Sequence, residues 1–411
     1  MFTSVSVNEI QCNGDNLLLQ QDACMPIESL NGQVQAVYAD PPFLTGDTFA
    51  RKRPFGERGW MKGKPVLTVN AFTDRFESSE AYFDLIRGLC ENARRMLTDS
   101  GLFMLHLDWR ASARARLICD EVFGADCFVN EVIWAYESGG RSTRTFSRKH
   151  DTILIYGKTT GWRLDPLAAG IPRSRRRRSH MKRVVDERGR TYSVMVSHGK
   201  EYRYYDDDLI SPSDVWTDIS HLQQLDPERT GWPTQKPLRL LSRLLACALK
   251  PGETTVELCC GSGTACEAAQ LLGCRYVGID ISEEALATTA LRMGLNGFVL
   301  KMPITETETR LEGHADENGL IILNAFTVPN ADMPASEKPL DPLEAWICGR
   351  IKEGVFIADE SFRRTQRHAA LAPMALLHPG DGEPAVLCFD AAGRIHAFVW
   401  RESQESAGNK E

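Results

Sequence analysis

Long hydrophobic runs and paired cysteines are both missing from this sequence of 411 residues. No apolar stretch approaches the roughly 18 to 20 residues that cross a bilayer as a helix, so we expect no membrane partner. Residues 1–11 lack the basic start and apolar stretch of a signal peptide. The 12 cysteines include no Cys-x-x-Cys pair, which argues against a zinc site and against a disulfide framework. We therefore expect a reduced, cytoplasmic protein without a metal.

An overall excess of positive charge is also missing, but the charge is unevenly distributed. The chain has 48 basic and 55 acidic residues, for a net charge of −7. Residues 171–203 alone contain eleven basic and three acidic side chains, a local net charge of +8. Because charges act over roughly 10 Å in physiological salt, such a segment indicates a polyanion site. A solvated charge run is the alternative.

The length exceeds that of one ordinary domain, and the hydrophobic (43%) and charged (25%) fractions are those of a globular protein. Strand and helix patterns alternate up to about residue 157 and again over residues 238–281. This alternation predicts a mostly parallel, doubly wound sheet, which binds ligands at the carboxyl ends of its strands. Residues 44–73 and 158–230 lack the rhythm, and we expect the first of them to form a mobile loop.

The first chemical motif is the turn Asp40-Pro41-Pro42-Phe43, which follows an apolar strand pattern. The prolines stop the strand because neither has a backbone N–H. An amino group on an aromatic ring is a poor nucleophile, and a carboxylate and a carbonyl that accept its two hydrogens favour attack by its nitrogen. Phe43 offers a flat face on which an extruded base can stack. A plain strand-terminating turn is the alternative interpretation.

The second motif is a glycine-rich turn between a strand and a helix, with the sequence E-L-C-C-G-S-G-T from Glu257 to Thr264. Glycines let the backbone approach a ligand, and the helix that follows offers unpaired N–H groups. The next strand ends at Asp280, an acid suited to bind ribose hydroxyls. The unit predicts a nucleoside-cofactor site, and the G-S-G-T order disfavours a nicotinamide. Glu257 either positions a ligand amino group or caps the loop.

In this order, the motifs resemble those of the S-adenosyl-L-methionine-dependent DNA methyltransferases that modify adenine N6 or cytosine N4, in the permuted arrangement with the catalytic motif first. The resemblance covers roughly residues 12–296. The matching segments are Gly14-Asp15-Asn16-Leu17, Asp40 to Gly46, Phe146 to Leu154, Thr230 to Pro237, Glu257 to Thr264 and Gly278 to Ser282. Two positions depart from the family: Glu257-Leu258-Cys259 replaces Asp-Pro-Phe, and Phe43 replaces tyrosine.

The resemblance implies an α/β fold, a doubly wound Rossmann-like methyltransferase sheet with an inserted target-recognition region and a small C-terminal α+β extension. The expected divisions are a catalytic half (1–157), a target-recognition and DNA-binding insertion (158–230), a cofactor half (231–300), a linker (301–340) and an accessory domain (341–411). The accessory domain contains a predicted hairpin over residues 385–400. Because residues 301–411 carry a net charge of −7, we expect no direct phosphate contact there. An accessory domain of unknown role and a dimerisation domain stay open as alternatives, and with the second a homodimer.

The resemblance also implies roles for single residues. Asp40 and the carbonyls of Pro41 and Pro42 would bind the target amine, and Phe43 would stack on the flipped base. The residues expected to bind S-adenosyl-L-methionine are Asp15, Gln235, Lys236, Glu257, Cys259, Gly261, Ser262, Gly263, Thr264 and Asp280. The residues expected to bind DNA are Arg173, Arg175, Arg176, Arg177, Arg178, Lys182 and Arg183. Residues 44–73 would close over the flipped nucleotide.

The expected activity is methylation of adenine N6 in double-stranded DNA, because cytosine-N4 enzymes of the family more often have serine where this chain has Asp40. Cytosine-N4 methylation, methylation of RNA or protein, and an inactive DNA-binding module stay open as alternatives. The permuted order argues against the RNA and protein enzymes, which usually carry the cofactor motif first. No nuclease or helicase signature is present, so we expect a stand-alone or modification methylase acting at the nucleoid of a bacterium or on phage DNA.

Overall fold

The computed structural model of the protein describes residues 1–62, 66–137, 142–173, 181–224, 226–329 and 333–401. Over these ranges the chain forms six α-helices and twenty-five strands. No helix among the described residues is both long enough and apolar enough to cross a membrane.

The helices and strands are bounded as follows. The helices are α1 (Gly56–Lys62), α2 (Ser79–Met96), α3 (Ser112–Phe123), α4 (Leu238–Ala248), α5 (Thr264–Leu271) and α6 (Glu283–Arg292). The strands in the first half are β1 (Phe2–Val5), β2 (Val7–Cys12), β3 (Asn16–Gln20), β4 (Val34–Ala39), β5 (Thr48–Pro54), β6 (Val66–Thr73), β7 (Leu97–Leu107), β8 (Phe128–Ala135), β9 (His150–Gly157), β10 (Ile171–Pro172), β11 (Lys182–Val185), β12 (Thr191–Ser197) and β13 (Lys200–Tyr205). The later strands are β14 (Leu209–Ile210), β15 (Val215–Trp216), β16 (Thr254–Leu258), β17 (Arg275–Asp280), β18 (Phe298–Ile304), β19 (Arg310–Ala315), β20 (Leu320–Thr327), β21 (Leu343–Lys352), β22 (Val355–Arg363), β23 (Met374–Leu376), β24 (Glu383–Asp390) and β25 (Ile395–Trp400).

Fifteen strands form one sheet, in the order β1-β25-β24-β21-β22-β2-β18-β3-β17-β16-β4-β7-β9-β8-β15. Its central strands β3, β17, β16, β4 and β7 are parallel neighbours, and all six residues of β4 are buried. Helices α4, α5 and α6 pack on one face, and α2 and α3 pack on the other. Because both faces of the sheet are covered, β4 is apolar except for Gln35. The predicted doubly wound α/β sheet is confirmed.

The two ends of the chain complete the sheet together. β1 pairs with β25 and β2 pairs with β22, so the N-terminal strands join those that follow residue 304. The predicted hairpin over residues 385–400 is present as β24 and β25. Among the described residues after 304, however, the elements are strands without an α-helix, and the expected linker contains β19 and β20. The polar residues of this segment obscured the alternating strand pattern. The inward-facing residues of β19 and β20 are buried in one cluster: Leu311, Ile321, Leu323 and Phe326.

Residues 44–73, which we expected to be a mobile loop, instead contain an antiparallel hairpin of β5 and β6 with α1 between them. The two arginines of β5, Arg51 and Arg53, are buried. Arg51 is 3% exposed and pairs with Glu284 of α6 at 3.4 Å, and Arg53 pairs with Glu344 of β21. Buried charges need such partners, and these ion pairs hold the hairpin against α6 and the C-terminal strands. The composition was misleading because the partners lie 233 and 291 residues away along the chain.

Candidate active site

A cavity of about 340 Å³ lies at the carboxyl ends of β4, β16 and β17. β4 and β16 are parallel neighbours, with Ala39 beside Leu258, so the turns that follow them meet at the same edge of the sheet. Asp40, Pro41, Pro42 and Phe43 line one part of the cavity, and Cys259, Cys260, Gly261, Ser262 and Asp280 line another. The two sequence motifs therefore share one site, whose volume is typical of small-molecule pockets.

The turn after β4 is fixed by Asp74, which follows β6. Its carboxylate accepts hydrogen bonds from the backbone N–H groups of Phe43 (3.1 Å), Leu44 (2.9 Å) and Thr45 (2.9 Å). Leu44 has a positive φ of 57°, a conformation that a non-glycine residue adopts only when its surroundings impose it. Asp74 is buried and lines the cavity. Sequence reasoning missed it, because its partner turn lies thirty residues earlier and no motif links the two.

Asp40 is held by a lysine from the segment before α4. The ammonium of Lys236 donates to both carboxylate oxygens of Asp40, at 2.8 and 2.7 Å, and it lies 4.7 Å from the centroid of the Phe43 ring. Lys236 is 6% exposed and the Asp40 side chain 17%. We expected Lys236 beside the cofactor, but it contacts the Asp40–Phe43 turn directly. Its neighbour Gln235 lines the cavity and ties residues 228–235 together by bonds to Thr230 and to the Glu228 carbonyl.

The glycine-rich loop adopts backbone conformations that favour glycine. Gly261 and Gly263 have φ values of 51° and 69°, and Cys259 shares this region at 59°. A Cβ on Gly261 would lie 2.8 Å from Nε1 of Trp232, and one on Gly263 would lie 2.4 Å from Cγ2 of Thr289. The loop is thus closely packed between the cavity and α6. Ser262 and Thr264 line the cavity, whereas Gly263 lies behind that lining.

Asp280 closes the loop from the end of β17. Its carboxylate accepts from the N–H of Gly261 and from the N–H of Ser282, both at 2.9 Å. Burial raises the pKa of Asp280 above its ordinary value, although these backbone bonds oppose the shift. The carboxylate also lines the cavity, and because an ionised carboxylate has about four acceptor sites, two such bonds leave capacity for a ligand hydroxyl.

Glu257 caps the helix that follows the loop. Its two carboxylate oxygens accept from the N–H groups of Ala265 (3.1 Å) and Cys266 (3.0 Å), in the first turn of α5. Burial raises the pKa of Glu257 to about 7, and the two backbone bonds oppose that shift. Of the two interpretations of this residue, the structure shows the contacts of a cap, while the side chain also borders the cavity.

Three aromatic rings cover the cavity from the hairpin side. Phe49 of β5 stacks on Phe72 of β6 with ring centroids 4.9 Å apart, and Phe72 stacks on Trp232 at 6.0 Å. All three line the cavity. Residues 44–73 therefore contribute an apolar wall to the site, and their closure over a flipped nucleotide stays a prediction. Phe49 and Phe72 lie outside the matching segments, and Trp232 lies within one of them, but no motif indicated that the three rings stack.

A buried polar chain runs from the cavity beneath Phe43. The Tyr38 hydroxyl lies 2.8 Å from Nδ1 of His106, whose Nε2 lies 3.1 Å from the Asp151 carboxylate. Tyr136 donates to the other oxygen of Asp151 at 2.9 Å. Hydrogen bonding to His106 is the largest of the effects that lower the pKa of Asp151 to about 2, against the opposing effect of burial. The chain links the floor of the cavity to the start of β9.

Asp15 was expected to bind the cofactor, and that expectation is wrong in its geometry. It precedes β3, which runs parallel to β17 towards the cavity, so Asp15 lies at the opposite edge of the sheet and is exposed. Five strand residues span roughly 17 Å. The residues that reach the cavity from this strand are Asp22 and Ala23, beyond its carboxyl end. A prediction of β3 itself would have identified them.

The basic insertion forms a three-stranded antiparallel sheet of β11, β12 and β13. Lys182 and Arg183 are exposed on β11, and the guanidinium of Arg173 lies 4.9 Å from the Tyr204 ring centroid. Several cations of this sheet are paired with acids: Arg183 with Asp206, Arg190 with Asp207 and Arg203 with Glu201. The expected DNA-binding residues Arg175, Arg176, Arg177 and Arg178 lie outside the described residues.

A doubly wound sheet with a glycine loop, a strand-end acid and a cavity at its carboxyl edge defines a nucleotide-binding α/β protein. A family model described as "DNA methylase", of the N6/N4 class, matches residues 34–291. The chain belongs to this family, and the resemblance seen in the motifs is confirmed. The family uses S-adenosyl-L-methionine as methyl donor.

Curated relatives are type II methyltransferases. M.EcaI of Enterobacter cloacae is 22% identical over 309 residues, which cover 64% of this chain and 65% of the relative. M.HpaI of Haemophilus parainfluenzae is 22% identical over 287 residues, covering 69% and 76%. M.BglII of Bacillus subtilis is 26% identical over 229 residues, covering 54% and 59%. The match with M.EcaI thus spans slightly less than two thirds of that relative.

Solved structures with a similar chain path include the following two. The cytosine-N4-specific PvuII DNA methyltransferase has 13% identity and a TM-score of 0.44, with 68% of this chain and 87% of that chain covered. The complex of M1.HpyAVI with S-adenosyl-L-methionine has 15% identity and a TM-score of 0.40, with 69% and 98% covered.

Proposed function

We propose that the protein transfers a methyl group from S-adenosyl-L-methionine to the exocyclic N6 of an adenine extruded from double-stranded DNA, as a type II modification methylase. One observation carries this proposal: the Asp40–Phe43 turn and the glycine loop with Asp280 line the same cavity. Methyl transfer requires the amino group held by the turn and the cofactor held by the loop to be in contact, which a shared cavity allows.

The cofactor side of the cavity fits S-adenosyl-L-methionine by its donor set. Asp280 retains acceptor capacity for ribose hydroxyls, and Asp22 offers a carboxylate to the ammonium group of the methionine part. Ile281 and Cys259 provide apolar contacts for an adenine ring. When bound, S-adenosyl-L-methionine supplies an electrophilic methyl group on a sulfonium. The protein therefore needs to orient the two reactants rather than to activate the methyl.

Asp40 acts on the amino group. In the transfer the nitrogen would bond to the methyl carbon as the carbon–sulfur bond breaks, and S-adenosyl-L-homocysteine would leave. Positive charge would develop on the nitrogen, which would then release one proton to solvent. A carboxylate within hydrogen-bonding distance stabilises that charge. The two bonds from Lys236 orient Asp40 and, because a carboxylate accepts about four bonds, leave it able to accept from the amine. The Pro41 and Pro42 carbonyls accept the second hydrogen, and Phe43 stacks on the base.

DNA is held outside the cavity. The target base must leave the duplex to reach Asp40, at a cost of a few kcal/mol, so the flanking phosphates need cationic partners. In the proposed function the insertion supplies them, with Arg173, Lys182 and Arg183 among the described residues and Arg175 to Arg178 between them in the sequence.

The choice of adenine rests on Asp40, and the product decides it. DNA lacking amino-methylated bases is incubated with the protein and S-adenosyl-L-methionine, digested to nucleosides and analysed by mass spectrometry. We expect N6-methyladenine. N4-methylcytosine in its place would assign the chain to the other branch of the family, and the absence of both would overturn the proposed function.

A further inference from the structure

The turn between β8 and β9 (residues 142–149 among those described) is not used by the proposed chemistry. β7 runs parallel to β4, and β9 runs antiparallel to β7, so β9 begins at the same edge of the sheet where Asp40 lies. β4 and β9 are two strand positions apart, which places this turn on the order of 10 Å from the catalytic turn along the edge. The chain Tyr38–His106–Asp151 joins the cavity to the foot of the turn.

Phe146 sits in this turn with 97% of its surface exposed. The turn around it is held by its own hydrogen bonds: Ser142 donates from its N–H to the Ser147 hydroxyl at 3.2 Å, and its hydroxyl accepts from the N–H of Thr145 at 3.0 Å. A phenylalanine that forgoes burial gives up about 2 kcal/mol of stabilisation. The fold gains no burial from this side chain, which leaves the ring available to a ligand. Since single exposed apolar residues are common on protein surfaces, the surroundings of Phe146 decide what the ring contacts.

The surroundings of Phe146 fit a polyanion. Residues 142–149 include Arg144, Arg148 and Lys149 and no acid. The guanidinium of Arg148 lies 3.8 Å from the ring centroid of Trp109, which follows β7 at the same edge and is 41% exposed. An exposed apolar ring among cations matches duplex DNA, in which phosphates flank a stack of aromatic bases.

We propose that Phe146 is a wedge that enters the base stack beside the target and fills the space that the extruded base leaves, while Arg144 and Arg148 hold the adjacent phosphates. The inference rests on the proposed function, since only an enzyme that extrudes a base needs the wedge. Apolar side chains that enter a base step offset part of the unstacking cost. Phe146 then favours the extruded state without contacting the reacting atoms, which makes it a positioning residue.

The test compares Phe146→Ala with the wild-type protein on three DNAs that carry the site found by sequencing wild-type-methylated plasmid. They are the matched duplex, the same duplex with an abasic position opposite the target, and the single strand. Extrusion costs most in the first, where the target base must give up both pairing and stacking. We expect Phe146→Ala to lose about tenfold to a hundredfold in kcat/KM on the matched duplex, comparable to the loss of one aromatic stack, and to lie within about threefold of wild type on the other two. Leu271→Ala, an exposed apolar residue at the end of α5, is the matched control and should behave as wild type on all three.

Each result decides between the two proposals. Equal activity of Phe146→Ala and wild type on the matched duplex would overturn the wedge, and so would an equal loss on all three DNAs, which would indicate a general contact or a folding defect. In either case methyl transfer by the wild type leaves the proposed function standing. Failure of the wild type to methylate any of the DNAs would overturn the proposed function, and the wedge with it.

Discussion

Substitution of Gly263 by alanine tests whether the cofactor loop is as closely packed as the structure shows. Gly263 has φ +69°, and a Cβ there would lie 2.4 Å from Cγ2 and 2.8 Å from Oγ1 of Thr289. The left-handed backbone costs an alanine about 1 to 2 kcal/mol, and overpacking adds about 1 to 3 kcal/mol. We therefore expect Gly263→Ala to lower the free energy of unfolding by about 2 to 5 kcal/mol.

Gly273 provides a matched control in the same βαβ unit. Its φ is +68°, but the nearest atom to an added Cβ is Cβ of Pro251 at 3.8 Å, an ordinary contact. Gly273→Ala should therefore pay only the backbone cost of about 1 to 2 kcal/mol. Denaturant unfolding measures both variants, and calorimetry with S-adenosyl-L-methionine should show weaker binding for Gly263→Ala alone, because a shift of the loop moves the Gly261 N–H and Asp280.

A second substitution separates the clash from the backbone cost. Thr289→Ala removes the two nearest atoms, Cγ2 and Oγ1, and leaves Cβ at 3.1 Å. It also removes the bond from the Thr289 hydroxyl to the Gly261 carbonyl (3.2 Å), worth about 1 kcal/mol. In the double-mutant cycle, Gly263→Ala should cost less in the Thr289→Ala background than in the wild type. Equal destabilisation by Gly263→Ala and Gly273→Ala, or a cycle without coupling, would refute the packing of the loop.

Three further substitutions test the residues around the cavity. The first is Glu257→Gln, which removes a carboxyl group whose pKa in the folded protein is about 7, above the ordinary value of 4.5. Because the folded protein holds this proton more tightly than the unfolded chain does, the wild-type free energy of unfolding should fall relative to that of the variant as pH rises from 5 to 8, by up to about 3 kcal/mol. Parallel pH curves for the two proteins would contradict the shift. Lys236→Met should lower the rate of methyl transfer about tenfold or more, because Asp40 loses the ammonium that orients it, while the affinity for S-adenosyl-L-methionine stays within a few-fold of wild type. Lys236→Arg is the control that retains the charge, and an unchanged rate for Lys236→Met would contradict this role of Lys236. Asp74→Ala should destabilise the protein by about 3 kcal/mol, because three N–H groups of the Asp40–Phe43 turn and the residues after it lose a charged acceptor. A melting temperature equal to that of the wild type would show that the turn keeps its conformation without Asp74.

The sheet and its two motif turns were predictable because their signals are local. The strand before Asp40 and the βαβ unit around Gly261 have apolar runs bounded by proline and glycine, and parallel strands place such turns at one edge by necessity. What holds those turns in place was not predictable. Asp74 lies outside every matching segment, and its three bonds to the Asp40–Phe43 turn and the residues after it join parts of the chain about thirty residues apart. Lys236 and Trp232 lie in the matching segment Thr230 to Pro237, but the sequence does not show which turns they contact.

The errors share a physical cause. Asp15 was assigned to the cofactor site from its motif alone, without a prediction of the strand that follows it. Because β3 runs parallel to β17, Asp15 lies at the edge of the sheet opposite the cavity. The hairpin of β5 and β6 has the composition of a solvated loop. Its arginines are nevertheless buried, because Glu284 and Glu344, far along the chain, neutralise them. A charged residue is predicted to be exposed when no oppositely charged partner is identified, and partners 233 and 291 residues away cannot be identified from the sequence pattern.

The central claim is that the turn at Asp40 and the loop before Asp280 serve one reaction in one cavity. Transfer of a tritiated methyl group from S-adenosyl-L-methionine to DNA, measured with calorimetric affinity for wild type, Asp40→Ala and Asp280→Ala, tests it most directly. We predict that Asp40→Ala abolishes transfer with cofactor affinity within a few-fold of wild type, and that Asp280→Ala loses the affinity itself. Transfer that survives in Asp40→Ala, or a loss of cofactor affinity in Asp40→Ala as large as in Asp280→Ala, would contradict the claim.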